Sequence, residues 1–330
     1  MPKIILHIGS GKTGTSALQV AFARNSGVLR REGVVYPESP SNGQARQGLV
    51  TSGNAMLMAK QLNPRLQYGG NPENFLRNFE KQMRESFDNN LLYSSEFLSY
   101  FQEKKLEELI NIADRLGFSI LIVFYIRSIA GHAYSVYSQA VKRGKYINKF
   151  SEFIQKYKNN FLEIIQKSER VVSRKNLVLR NFDNVRRDVF RDFVENVLGI
   201  NYEASGFRET PKVNRSLDFF ETEFVRCMNS WFKFDYQSVF TSDSLIYANP
   251  ELPVRTIISQ EEKEFFEQTY GETVNFINKY MNGEGINIFD NSIEIGNRPD
   301  IMLSEFERCL MSVLARLIPA EPHKHKTPDG

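Results

Sequence analysis

Four features are scarce in this chain of 330 residues, and each scarcity removes a class of protein. Cysteine occurs twice, as Cys227 and Cys309, far apart and in no Cys-x-x-Cys pair. A disulfide framework, a cysteine zinc site and a dithiol redox motif therefore lack support, and two buried reduced thiols are expected. Long apolar runs are missing too. The longest, Ile120 to Ile126, is bounded by Ser119 and Arg127 and falls far short of the roughly 20 residues that a membrane-spanning helix needs. Excess charge of one sign is small: 42 Lys and Arg against 39 Asp and Glu leave a net charge of +3. That suits an anionic ligand but not the concentrated basic face of a nucleic-acid binder. Histidine occurs four times, and no cluster of carboxylates and histidines has metal-ligand spacing, so no metal is expected. The opening MPKIILHIG runs straight into a glycine-rich turn without the pattern of a secretory leader. The expectation is a soluble, cytoplasmic protein, its oligomeric state open.

What is present is an alternation of strands and helices. Hydrophobic residues make up 41% of the chain, ample for a sizeable core. KIILHI (3–8), VVY (34–36), LLYSS (91–95), SILIVFYI (119–126) and NLVLRN (176–181) read as buried strands, the fourth as the central one. Between them Ala17, Leu18, Ala21 and Phe22, then Phe75, Phe79, Met83 and Phe87, then Leu106, Leu109, Ile110 and Ala113 recur at helical spacing. Ala133, Val136, Tyr137, Ala140 and Val141 do the same, as do Val185, Val189, Phe193 and Val197 before Gly199. Thr15 or Ser16 is the expected cap of the first helix. The pattern predicts a three-layer α/β/α fold around a central parallel sheet, with ligands at the carboxyl ends of its strands. Residues 37–54 read as a polar loop over that site. The chain is expected to form one domain, residues 1–220 as core and 221–330 as a mainly helical part with helices near 217–232, 260–281 and 301–317. Residues 232–258 read as an aromatic, irregular stretch.

HIGSGKTGTSALQ (7–19) contains Gly-Lys-Thr, the letters of a nucleoside-triphosphate loop. Such a loop needs a glycine five residues before its Gly-Lys pair, and that position is Leu6, inside the first strand. A shorter register built on Lys12, Thr13, Gly14, Thr15 and Ser16 keeps strand, tight turn and helix N-terminus, which together favour an anion. It looks short for a triphosphate and suits a 5′-phosphosulfate. A second anion site is suggested by Arg127, at the end of the central strand, and Ser135, eight residues on. Gly131, Ser135, Ser138 and Lys142 fall opposite the apolar stripe of the following helix, so guanidinium and hydroxyl can close on one phosphate. Plainer readings are a turn with a solvated lysine, and a strand-end arginine with a surface serine.

Taken together these motifs resemble those of the PAPS-dependent sulfotransferases, whose donor is held by a 5′-phosphosulfate loop after the first strand and by an arginine and serine eight residues apart. LHIG, SALQ, YSQAVKRG, NFDNVRRDVFRDFVENVLGI (181–200) and VNRSL (213–217) are similar to the bacterial, carbohydrate-type branch. The resemblance covers roughly residues 3–220. It implies a P-loop-like sulfotransferase fold and transfer of a sulfuryl group from PAPS to a hydroxyl or amine, most naturally of a carbohydrate, releasing PAP without a metal. In that scheme Lys12 stabilises the leaving phosphate and Glu96, in LLYSSE, takes the acceptor's proton. Lys12, Thr13, Gly14, Thr15, Ser16, Arg127 and Ser135 bind the donor. His7 and His132 are rival bases, and Glu96 can equally be a helix N-terminal acid. Asn214 and Ser216 can touch the donor or cap a helix. VKRG (141–144) can shape the acceptor side, and Trp231, Phe232, Phe234 and Tyr236 can stack on sugars or fill core. Two other functions stay open: a small-molecule kinase, and a non-catalytic binder of PAP or an anionic glycan.

Overall fold

A computed structural model of the chain describes residues 1–63, 65–66, 72–209, 215–232, 238–281, 283–296 and 303–317. They fall into two compact units. The first comprises residues 1–133, 157–213 and 264–290, and the second residues 134–156, 214–263 and 291–330.

The first unit is built on five parallel strands: β1 (Lys3–Ile8), β2 (Val34–Val35), β3 (Asn90–Ser95), β4 (Ser119–Ile126) and β5 (Leu177–Asn181), in the order β2-β3-β1-β4-β5. Apolar runs without alternation make these strands because helices cover both faces. On one face the helix Thr15–Arg24 buries Leu18, Ala21 and Phe22 against Ile5, Leu92, Val123 and Tyr125. Phe190, Phe193 and Val194 complete that layer. The other face carries Phe79 against Tyr93 and Phe161 against Phe124, from the helices Pro72–Glu85 and Phe161–Val171. This is the expected three-layer arrangement. From β1 the chain leaves toward β2 on one side, and from β4 toward β5 on the other. The ends of β1 and β4 therefore flank the crevice where an open parallel sheet binds ligands.

Several local expectations change. Phe87 lies beyond the helix Pro72–Glu85 and is 61% exposed, because a turn ends the helix two residues earlier. The stripe from Val185 to Val197 is not one helix. It is broken into Phe182–Val185, Val189–Asp192 and a π-helical turn Phe193–Val197. Asp188 caps the second piece by accepting from the Arg191 N–H, which ends the first. Residues 37–54 include a short helix, Asn42–Arg46, and are tied to β3 by the Asn54 side chain.

The second unit contains the helices Phe219–Phe232, Ser238–Ala248 and Leu303–Leu317, near the expected places except for the middle one. SVFTSDSLIYA has too many serines and threonines to advertise a helix. A parallel pair, β6 (Thr256–Ile258) with β7 (Ile293–Ile295), also went unread, since three-residue strands carry no period. Asp218, rather than Ser216, caps the helix at 219: its carboxylate accepts from the Glu221 N–H, and Glu221 answers by accepting from the Asp218 N–H.

Phe22 is fully buried and meets the rings of His7, Tyr36, Phe190 and Phe193. Phe22→Ala should lower the unfolding free energy by about 3–5 kcal/mol. Urea denaturation followed by circular dichroism measures this, and a loss below about 1 kcal/mol would contradict the packing described.

Candidate functional site

The loop from Gly9 to Gly14 leaves β1 with its backbone held from several sides. The Gly9 N–H donates to the Ser95 carbonyl at 3.2 Å, which fixes the loop to the end of β3. Lys12 and Gly14 have positive φ, 70° and 78°. A curl of this kind turns successive N–H groups toward one side and makes an anion-binding concavity. For Lys12 the conformation is strained by on the order of 1 kcal/mol. Gly14 is required twice over: beyond its φ, a Cβ there would sit 2.6 Å from the Phe182 ring.

The loop's hydroxyls are not all available to a ligand. Thr13 is buried and its hydroxyl donates to the Ser10 carbonyl at 2.7 Å, so what Thr13 offers is its N–H. Thr15 begins the first helix instead of capping it. Gly14 is the N-cap, no side chain caps the helix, and its first turn has no acidic residue. Thr15 Oγ1 is buried and has no hydrogen-bond partner among the described residues. Ser16 is half-buried and Lys12 exposed. An uncapped helix N-terminus beside an orphaned hydroxyl favours a negative charge at this place.

Glu96 faces this loop. It is the first residue of a single 3₁₀ turn, Glu96–Tyr100, directly after β3. A methyl built on Gly11 would come 3.9 Å from one of its carboxylate oxygens. Burial raises the Glu96 pKa above the usual carboxylate range, and the positive charge of Lys12 opposes that rise. A carboxyl pushed up toward neutrality is better matched to proton transfer than an exposed one. Its place at the start of a turn of five residues fits the helix-terminal reading as well, but so short a turn has little dipole to satisfy.

Arg127 follows β4, and its side chain is only 12% exposed. Nη1 donates to the Lys12 carbonyl at 3.3 Å, so the guanidinium reaches the loop after β1. The same group pairs with Asp183 at 3.5 Å and Asp290 at 3.2 Å and lies 5.7 Å from the centre of the Phe182 ring. Asp183 also accepts from the Ser128 N–H at 2.6 Å. Burial raises the Asp183 pKa, with Arg127 pulling the other way. Asp183 and Phe182 sit just past β5, a strand-end position that could have flagged them. Asp290 arrives from 163 residues away and carried no local signal.

Neither histidine is placed to act as base. His7 is fully buried, its Nδ1 2.8 Å from Ser94 Oγ and its ring edge-on to Phe22, Tyr125 and Phe193. His132 is a positioning group. Its Nε2 lies 3.1 Å from the Gly11 carbonyl oxygen, which can only accept, so Nε2 carries the proton. Nδ1 then accepts from the Tyr157 hydroxyl at 2.6 Å, and that hydroxyl accepts from Asn159 Nδ2. The relay locks one tautomer and anchors the loop.

Ser135 belongs to the second unit, half-buried on the helix Ile129–Gly144. Farther along that helix the residues expected to face away from the core are engaged. Ser138 is buried with its hydroxyl 3.3 Å from that of Thr222, and Lys142 and Arg143 both pair with Asp243, which gives VKRG a structural role. Ser216 is exposed. Asn214, Phe234 and Tyr236 lie outside the described residues, as do the side chains of Trp231 and Phe232.

No protein-family model matches the chain, and no curated protein matches it. Among solved structures it is similar to a sulfotransferase from Alicyclobacillus acidocaldarius, with 14% identity and a TM-score of 0.37 over 75% of this chain and 96% of that one. It is also similar to the sulfotransferase domain of the Synechococcus PCC 7002 olefin synthase, with 13% identity and a TM-score of 0.36 over 76% and 96%. Superposition this loose carries no argument about activity, so any function rests on the residues themselves. No helix among the described residues is long and apolar enough to cross a membrane.

Burial lowers the pKa of both His7 and His132 to about 3 from an ordinary 6.5. The unfolded chain therefore binds more protons than the folded one between those values. Stability from this source is complete above about pH 6.5 and is lost as pH falls toward 3, with a slope approaching 1.4 kcal/mol per pH unit for each histidine. Urea unfolding between pH 7 and 5 should show the decline, and His132→Gln should make it shallower. A flat profile would contradict the buried neutral state.

Proposed function

We propose that the protein is a sulfotransferase that moves a sulfuryl group from PAPS to a hydroxyl or amine of a carbohydrate, leaving PAP. The observation that carries this reading is the meeting of three groups at the β1/β4 crevice. They are a curled loop ending in an uncapped helix, a carboxylate facing it from β3, and a buried arginine bonded back to the loop.

The donor supplies a sulfuryl group already activated on a phosphate. The chain's own residues supply position and charge, as in-line transfer of this kind requires. The N–H groups at the start of the first helix hold the 5′-phosphate, with Ser16 and Lys12 beside them. Thr15 Oγ1, buried and unpartnered among the described residues, fits a bound anion better than an empty turn. Lys12 stabilises the negative charge left on the phosphate oxygen. Glu96, its pKa raised by burial, takes the acceptor's proton. Arg127 receives the 3′-phosphate. Metal ligation has no part in this scheme.

The acceptor class is supported by a cleft of about 830 Å³ in the first unit. Gln61 and Gln82 line it together with Lys60 and the rings of Phe75 and Tyr93, and Asn54 forms part of its wall. Amides for hydroxyls, rings for sugar faces and a lysine for an acid group suit a saccharide better than an apolar molecule. Asn54 ties this cleft to the end of β3: its side chain donates to the Leu92 carbonyl and accepts from the Ser94 N–H, two residues before Glu96.

Thermal unfolding and calorimetry with PAP, ADP and ATP–Mg²⁺ test the donor. PAP at about 100 times its dissociation constant should add roughly 2.7 kcal/mol of stability, ADP much less, and Arg127→Ala should erase the difference. If ATP–Mg²⁺ stabilises and PAP does not, the kinase reading takes over. In transfer assays with labelled PAPS and a saccharide panel, Glu96→Gln should reduce kcat by about 10²–10⁴ and Lys12→Ala by about 10²–10³, with PAP still bound. Turnover unchanged by Glu96→Gln would remove it from the chemistry.

A further inference from the structure

Asp290 places a carboxylate among the groups that an incoming phosphate would use. One oxygen accepts from Arg127 Nη2 at 3.2 Å and from Ser128 Oγ at 2.8 Å, while the other lies 3.8 Å from Arg186 Nη1. The side chain is 5% exposed. A methyl built on Gly131, in the first turn of the helix Ile129–Gly144, would come within 2.5 Å of that first oxygen. The carboxylate therefore rests against the start of a helix of 16 residues, between two guanidiniums and a hydroxyl. That is an anion site with an anion of the chain's own in it.

Charge decides what can bind there. Among the described residues the ion pairs here set Arg127 and Arg186 against Asp183 and Asp290. A phosphate dianion added here meets two nearby carboxylates and gains little. The same dianion in place of Asp290 meets both guanidiniums, the Ser128 hydroxyl and the helix N-terminus, with one fewer carboxylate opposing it. A singly charged ligand gains nothing by the exchange, since it replaces one negative charge with another.

We propose that Asp290 is a specificity-determining residue of the donor site, an internal anion that holds the Arg127 phosphate position until a dianionic phosphate ester displaces it. The inference rests on the donor reading above. The backbone before Asp290 is pinned. Asn181 Nδ2 donates to the Gly285 carbonyl, Asn278 brackets Ile286 with two hydrogen bonds, and the Ala130 N–H donates to the Ile288 carbonyl at 2.9 Å. Displacement is thus a swing of the Asp290 side chain, not a departure of the segment.

Calorimetry of PAP and of adenosine 5′-phosphate on the full chain, comparing wild type with Asp290→Asn and Asp290→Ala, tests this. A site that its own carboxylate fills nine-tenths of the time shows an affinity about tenfold below its intrinsic value. PAP should therefore bind both variants about tenfold more tightly, with adenosine 5′-phosphate unchanged. Unchanged or weaker PAP binding by the folded variants overturns the proposal and leaves the donor reading standing. PAP binding by none of the three proteins overturns both. Carbodiimide labelling of the wild-type protein, read by mass spectrometry, decides the case if neither variant folds. Asp290 should become reactive when PAP is added, and no gain in labelling rejects the displacement.

Discussion

The burial of one guanidinium at the carboxyl end of the sheet is the constraint on which the rest of the site depends. Arg127 leaves β4 where the strand order reverses, and three separate parts of the chain come to meet it. They are the Lys12 carbonyl from the loop after β1, the Phe182 ring and Asp183 from the turn after β5, and Asp290 from the far end of the first unit. Each contact satisfies part of a charge that would be expensive to bury alone. The result is a crevice whose walls are held in part by electrostatics. Such walls respond to charged ligands, because an anion entering the crevice competes with the groups that hold it together.

The loop after β1 is fixed by a different kind of interaction. His132 donates to the Gly11 carbonyl, Thr13 to the Ser10 carbonyl and Arg127 to the Lys12 carbonyl, while the Gly9 N–H donates to the end of β3. The donors at this place are the N–H groups at the start of an uncapped helix and a half-buried serine, with an exposed lysine beside them. Preorganised donors are what stabilise charge developing on an oxygen. Glu96 and Lys12 then influence one another through space. Burial raises the carboxyl's pKa, and the neighbouring ammonium opposes that rise.

Much of this was legible in the sequence, and the reason is local. A buried parallel strand followed by a glycine turn and a helix writes itself in a dozen contiguous residues, and the five strands of the sheet all lie close to their expected places. Lys12, Glu96 and Arg127 could be named because each stands at the end of such a strand. Roles that depend on distant partners could not. Thr13 is a donor-binding residue by its place in the loop, but its hydroxyl donates to the Ser10 carbonyl, and Ser138, opposite the apolar stripe, meets Thr222. His132 is a rival base by residue type, and only the meeting of Gly11, Tyr157 and Asn159 shows that it also anchors the loop. The second unit was the least legible part, since its strands are three residues long and its middle helix is rich in serine and threonine.

The letters Gly-Lys-Thr in the loop now have a physical explanation that does not involve a triphosphate. The position where a triphosphate loop keeps its first glycine is Leu6, which is 1% exposed and registered in β1 between Tyr93 and Ile122. A strand residue paired on both sides cannot also open a phosphate cradle. The turn available runs only from Gly9 to Gly14, and the Gly9 N–H and the Ser10, Gly11 and Lys12 carbonyls are tied down as described. On the donor reading proposed above, one phosphate sits at this short turn and another at Arg127, whose guanidinium is bonded to the Lys12 carbonyl. On that reading a ligand with a charged group at each end of a nucleoside fits the crevice better than a linear run of phosphates.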